Sequence, residues 1–272
     1  MPKSVNFWRR QMKLCRIIEK LDTDFPRELA CDWDNCGLLV GDTDAEIDTV
    51  LVSLDVTDAC IERAVREQAQ LILTHHPLIF RPLGQICEQD FIARRVRKMI
   101  KNDINYFAMH TNFDIAKMAD LNAEDLELRS AELLWPEGTD ENGRPCGFGR
   151  IGRVEGALTL AEFAGKVKKA MRLPYVRIYG DHDRVISVGA VSSGAGKGAV
   201  ADALKKGADV LVTGDLDYHT AIDAVAQGLT LIDAGHYGTE FTYIRYMEKY
   251  MRENFKELTC HAMEIRQPYE VV

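Results

Sequence analysis

The sequence predicts an α/β protein of two α/β domains, on three observations. Short apolar runs rich in Val, Ile and Leu alternate with segments of helical apolar spacing, which argues for sheets with substantial parallel pairing. The alternation occurs twice, over residues 50–110 and again from Val185, on either side of a less regular middle. The chain's 272 residues leave room for two ordinary domains.

Leu14, Ile17, Ile18 and Leu21 have the spacing of a first amphipathic helix. Val50–Asp55 reads as a strand, followed by a helix that Thr57 or Asp58 can cap. That helix carries Ile61, Ala64, Val65 and Ala69 on one face, with Glu62 four residues before Arg66. Gln70–Thr74 is a buried strand, residues 91–101 a helix, and Tyr106–His110 a short strand. Pro136–Gly143 reads as a loop by composition, and a turn region around Arg153–Ala157 precedes a helix over 160–171. From Val185 the pattern is strand, Gly-rich turn, helix Ala199–Lys206, strand Asp209–Thr213, helix Tyr218–Gln227 and strand Leu229–Asp233. A last helix over 239–254 and a strand over 259–265 close the chain.

Composition narrows the function classes. A hydrophobic content of 46% supports real cores, and a net charge of −8 opposes broad adhesion to nucleic acid or anionic membrane, leaving only a local basic groove. No apolar run approaches the roughly 20 residues that span a bilayer, so a cytoplasmic protein is expected. The seven cysteines are odd in number and form no CxxC pair, which fits a reducing compartment better than a disulfide framework or a thiolate zinc site. Cys36, beside Gly37, reads as a small buried side chain before a reactive thiol. Residues 1–11 are basic and short of acids, and read as a polar extension.

Open α/β sheets bind ligands beyond the carboxyl ends of their strands. Asp55, the pair His75-His76, His110 with Asp114, and His236 with Glu240 all fall at such ends. Gly235 allows a turn before His236, and a helix starting there puts His236 and Glu240 on one face. Pro77 disfavours helix at His76, so the pair lies in an extended exit. Adjacent residues there diverge, which suits two metal ions better than one. Imidazole and carboxylate donors together suit zinc, iron, manganese or nickel.

A rival constellation is the glycine-rich stretch 192–198. Gly194, Gly196 and Ala199 satisfy a loose dinucleotide pattern, with Asp215 placed 19 residues after Gly196 as a ribose-binding acid. A tight strand-to-helix turn is the preferred account of it, and Gly198 after Lys197 removes a phosphate-binding P-loop.

Five phrases then occur in order: Trp33-Asp34-Asn35-Cys36-Gly37-Leu38, Thr74-His75-His76-Pro77, His110-Thr111-Asn112-Phe113-Asp114, Thr213-Gly214-Asp215-Leu216-Asp217-Tyr218-His219 and Gly235-His236-Tyr237-Gly238-Thr239-Glu240. From Met12 onward the chain resembles the NGG-one-interacting-factor-three family, whose members carry the name GTP cyclohydrolase I type 2 homologue. The resemblance implies mixed sheets flanked by helices in a first domain built from both chain ends, 1–125 with 228–272, and a second over 126–227. It implies two divalent transition-metal ions per chain, with His75 and His76 serving one ion each, Asp114 binding one, His236 the other, and Glu240 bridging. It further implies a homo-oligomer, a toroidal hexamer, and hydrolytic opening of a nucleotide imidazole ring by metal-bound hydroxide. His110 and His219 are the candidates for proton transfer, or for support of the ligands. The second reading is an oligomeric metal-binding regulatory protein without that activity.

Overall fold

In the computed structural model, residues 11–264 and Tyr269 are described. The expectation for residues 1–10 of the N-terminal extension lies outside them. The chain divides into two units, 1–112 with 243–268, and 113–242 with 269–272. Both carry mixed sheets with helices alongside.

The first unit holds a five-stranded sheet in the order Thr259–Ala262, Thr49–Ser53, Leu71–Thr74, Asn105–Ala108, Gly37–Val40. The first four strands run parallel and the last is antiparallel. Leu51, Ile72, Tyr106 and Ala108 pack on Cys60, Ile61 and Ala64 of the helix Asp58–Arg66 and on Val96 and Met99 of Phe91–Lys101. Both helices start where side chains can satisfy the open amides: Thr57 accepts from the Cys60 amide, and Asp90 from those of Ile92 and Ala93. A two-stranded pairing of Met12–Lys13 with Glu46–Ile47 completes the unit's strands among the described residues.

The second unit's six-stranded sheet has the order Arg129–Thr139, Pro145–Thr159, Val185–Ala195, Val210–Gly214, Thr230–Asp233, Arg177–Tyr179. Period-two alternation divides its core. Val210, Val212 and Ile232 pack on Phe163, Ala164 and Val167 of the helix Leu160–Ala170. Leu211 and Leu231 pack instead among Ala203, Ala221 and Ala224.

Three expectations are corrected. Pro136–Thr139 and Arg153–Ala157 are not loop and turn but parts of one long antiparallel hairpin, whose register shifts between Pro136 and Gly138. A bulge absorbs an extra residue and lets Pro and Gly persist inside a strand. The glycine-rich turn is also absent: the strand from Val185 continues through Gly194 to Ala195. The helix expected from Ala199 starts as a 3₁₀ turn, Gly196–Ala199, and becomes α-helical over Val200–Lys205. Thr230–Asp233 pairs in parallel with Val210–Gly214, and this stretch and His236–Glu240 lie in the second unit.

Candidate metal centre

In the first unit the strand Leu71–Thr74 ends before the histidine pair, and the backbone bends at both residues. The His76 amide donates to the Leu54 carbonyl at 2.9 Å, and the Tyr106 hydroxyl donates to the His76 carbonyl at 2.8 Å. The same hydroxyl accepts from the Leu78 amide, so one buried tyrosine holds the turn on both sides of Pro77. The two rings do not diverge as expected of an extended exit. Their centroids are 4.9 Å apart with planes inclined at 50°, because the backbone bends at both residues. His110 joins them at 5.2 Å from His75 and 5.6 Å from His76. One ring nitrogen from each lies within 4.8 Å of the other two.

Each ring is held through Nδ1. His75 meets the Met109 carbonyl at 2.9 Å, His76 the Asp55 carboxylate at 3.0 Å, and His110 the Asp34 carboxylate at 2.9 Å. A carbonyl or carboxylate oxygen only accepts, so Nδ1 carries the proton and a neutral ring has its lone pair on Nε2. Metal-ligating histidines are oriented in this way. Asp34 itself has a buried side chain that accepts from the Asn35 amide, the Thr111 amide and hydroxyl, and the Cys36 thiol. Burial alone would raise its pKa, but the hydrogen bonds and charge of His110, with those from Thr111 and Cys36, outweigh it and hold the carboxyl well below the usual range. Burial and the Asp34 carboxylate push the Cys36 thiol up to about 12, so this cysteine is no thiolate nucleophile.

In the second unit Gly235 adopts φ of +73°, a conformation that costs glycine little, and the short helix His236–Glu240 follows it. His236 Nε2 and Glu240 Oε1 lie 3.1 Å apart, the i,i+4 juxtaposition expected from the spacing. His236 Nδ1 meets Asp215 at 2.8 Å, so this ring is oriented like the other three. With the proton on Nδ1, the Nε2 lone pair faces a carboxylate oxygen, and the pair calls for a shared cation, a proton or a metal ion. Two bonds of about 2.0–2.2 Å to one ion, near a right angle, leave donor atoms about 3 Å apart. Glu240 is 3% exposed. Thr239 fixes its turn by accepting from the Gly194 amide at 2.9 Å, and the Asn122 side chain donates to the Thr239 carbonyl. Asp114, also buried, opens a π-helical turn, Asp114–Met118, and accepts a long hydrogen bond from Ser193 at 3.4 Å. Such turns recur at functional sites.

The dinucleotide reading is overturned by the same contacts. The Gly194 amide is occupied by Thr239, Asp215 holds His236, and Lys197 pairs with Asp217 at 3.0 Å. A Cβ on Gly194 would stand 2.7 Å from Glu240 Oε1, so the glycine makes room for the carboxylate. His219 is exposed on the first turn of the helix Tyr218–Ala226, and no metal-capable triad among the described residues includes it. Sequence reasoning missed what holds the rings. Asp34 has no sequence signal beyond its place in a matched phrase, Asp55 only its position at a strand end, and Asp215 only its spacing from a glycine pattern.

Two mixed-sheet α/β units bearing carboxylate-oriented histidines and a buried glutamate describe an α/β protein with a candidate metal centre. The chain belongs to the Duf34/NIF3 (NGG1p interacting factor 3) family, whose match covers residues 12–268. It is 34% identical over 258 residues to a GTP cyclohydrolase 1 type 2 homolog of Clostridium acetobutylicum, covering 94% of this chain and 92% of that protein. Its fold is similar to that of a Bacillus cereus protein related to NIF3, at TM-score 0.90 and 26% identity, covering 97% of this chain and all of the other. It is also similar to reduced HcgD from Methanocaldococcus jannaschii, at TM-score 0.81 and 31% identity, covering 94% and 99% of the two chains. Among the described residues no helix is long and apolar enough to cross a membrane.

Proposed function

We propose that this chain is a dinuclear metal-dependent hydrolase acting on a nucleotide, with opening of the imidazole ring of GTP as the leading reaction. The observation that carries the reading is the set of four histidines whose Nδ1 atoms are each committed to a carbonyl or carboxylate. The names of relatives such as the Clostridium protein supply the nucleotide. His75, His76, Asp114, His236 and Glu240 are the proposed ligands of two divalent ions, zinc, iron, manganese or nickel. Such ions supply Lewis-acid charge and lower the pKa of a bound water from 15.7 towards about 7. Among the remaining groups, His110 is best prepared to move a proton. Asp34 keeps its Nδ1 protonated and orients the ring, leaving Nε2 to exchange a proton with substrate.

The test is turnover of GTP and related nucleotides by metal-loaded protein and by the same protein after chelation. Hydrolysis that needs the metal is expected. Equal activity without metal would overturn the reading, and metal binding without turnover of any nucleotide would favour the oligomeric regulatory protein.

A further inference from the structure

Beside the three histidines of the first unit, two large aromatic side chains stand in the open. Trp33 is 58% exposed and Phe80 is 48% exposed. Single exposed apolar residues are ordinary, but these two touch, with ring centroids 5.9 Å apart and planes inclined at 53°. Trp33 also meets His110 edge to face, at 6.1 Å and 75°. The indole is thus part of the ring cluster that includes His75 and His76.

The backbone under both aromatics is held. Asp34, next to Trp33, closes a turn by donating its amide to the Cys31 carbonyl, and its side chain is fixed by His110 and Thr111. Asn35 donates from its side chain to the Ile79 carbonyl, tying the loop of Trp33 to that of Phe80. Burying an aromatic ring is favourable, so a fold that holds two of them half in solvent forgoes part of that gain at this place. Prearranged flat apolar faces beside polar donors are what a planar heterocycle needs, since stacking supplies affinity while the donors meet its ring atoms. The 53° inclination excludes a parallel sandwich. A ring can stack on one face only and rest its edge on the other.

We infer that Trp33 and Phe80 are the platform on which a planar heteroaromatic base, the purine of a nucleotide, is positioned against the histidine cluster. This rests on the hydrolase reading for the choice of a nucleotide. The role is one of positioning and specificity, with the indole as the main stacking face and the phenyl ring as the wall.

The experiment is calorimetric titration of metal-loaded protein with GTP and guanosine, and with ribose 5-phosphate and inorganic triphosphate as probes lacking the base. Wild type is compared with Trp33→Ala, Trp33→Phe and Phe80→Ala at matched metal content and matched oligomeric state. Base stacking on an aromatic residue corresponds to about a 5- to 150-fold change in affinity. Trp33→Ala is expected to weaken GTP and guanosine by a factor in that range and to leave the base-free probes unchanged. Trp33→Phe should restore most of the affinity. Should Trp33→Ala not fold, tryptophan emission serves in its place: guanosine quenches wild type, and Trp33→Phe removes the quenching. Equal affinity of wild type and Trp33→Ala for guanosine overturns the platform, as does an equal loss for the base-free probes or no binding of guanosine by wild type. The hydrolase reading fails separately. Metal-loaded protein that binds guanosine through Trp33 but turns nothing over leaves the platform standing.

Discussion

The two units present metal-capable donors in contrasting ways. In the first, three imidazoles gather where parallel strands end and the chain leaves through bends, fixed by Tyr106, Asp34 and Asp55. In the second, one imidazole and two carboxylates stand on short helical turns, His236–Glu240 and Asp114–Met118. The first set is nitrogen-rich, and its geometry comes from loops tied down by buried polar groups. The second is oxygen-rich, and its geometry comes from helical spacing after a glycine. What they share is a carboxylate behind a histidine, Asp55 behind His76 and Asp215 behind His236. Orientation of the ring is therefore the common requirement, whatever element carries it.

Removing those carboxylates tests the equivalence most strongly. Asp55→Ala and Asp215→Ala should each lower metal affinity about 10- to 100-fold, read by competition with a chelating dye. A loss confined to one of the two would mean that only one unit's donors hold metal.

A smaller effect separates stability from metal binding. Asp209 is partly buried, which raises its pKa, but the Ser187 and Val188 amides and Arg184 outweigh this and lower it. A carboxyl depressed in the folded state contributes stability above its unfolded pKa of about 3.9, and that contribution is lost as pH falls through the lower folded value. Asp209→Asn should cost about 1–3 kcal/mol near neutral pH, and the gap to wild type should close below about pH 4 in denaturant titrations. Metal content should not change. A gap that persists at pH 2 would mean that the charge of Asp209 is not what stabilises the strand start at Val185.

The smallest effect is expected at His219. As an exposed residue outside the donor triads, its replacement by alanine should move stability by no more than about 0.5 kcal/mol and leave metal content unchanged, measured by thermal unfolding and elemental analysis. Loss of metal in this variant would restore it to the site.

Legibility in the sequence followed local physics. Strands such as Thr49–Ser53 and helices such as Phe91–Lys101 declare themselves by apolar period and capping residues, and the His236–Glu240 pair follows from helical spacing. The long hairpin is hidden because Pro136 and Gly138 read as loop, whereas bulges and cross-strand pairing hold them in a sheet. Gly194 fits a loose dinucleotide pattern because its true neighbour, Glu240, lies 46 residues away in sequence. Asp34 holds His110 across 76 positions, a separation that no local pattern carries.

Under the proposed function, each donor set is needed for full metal loading. Elemental analysis of purified full-length protein, with His75→Ala and Glu240→Ala measured alongside, tests it directly. Two divalent transition-metal ions per chain in wild type, with one or none in each variant, is the expected result. Wild type without metal, or either variant retaining both ions, would contradict it.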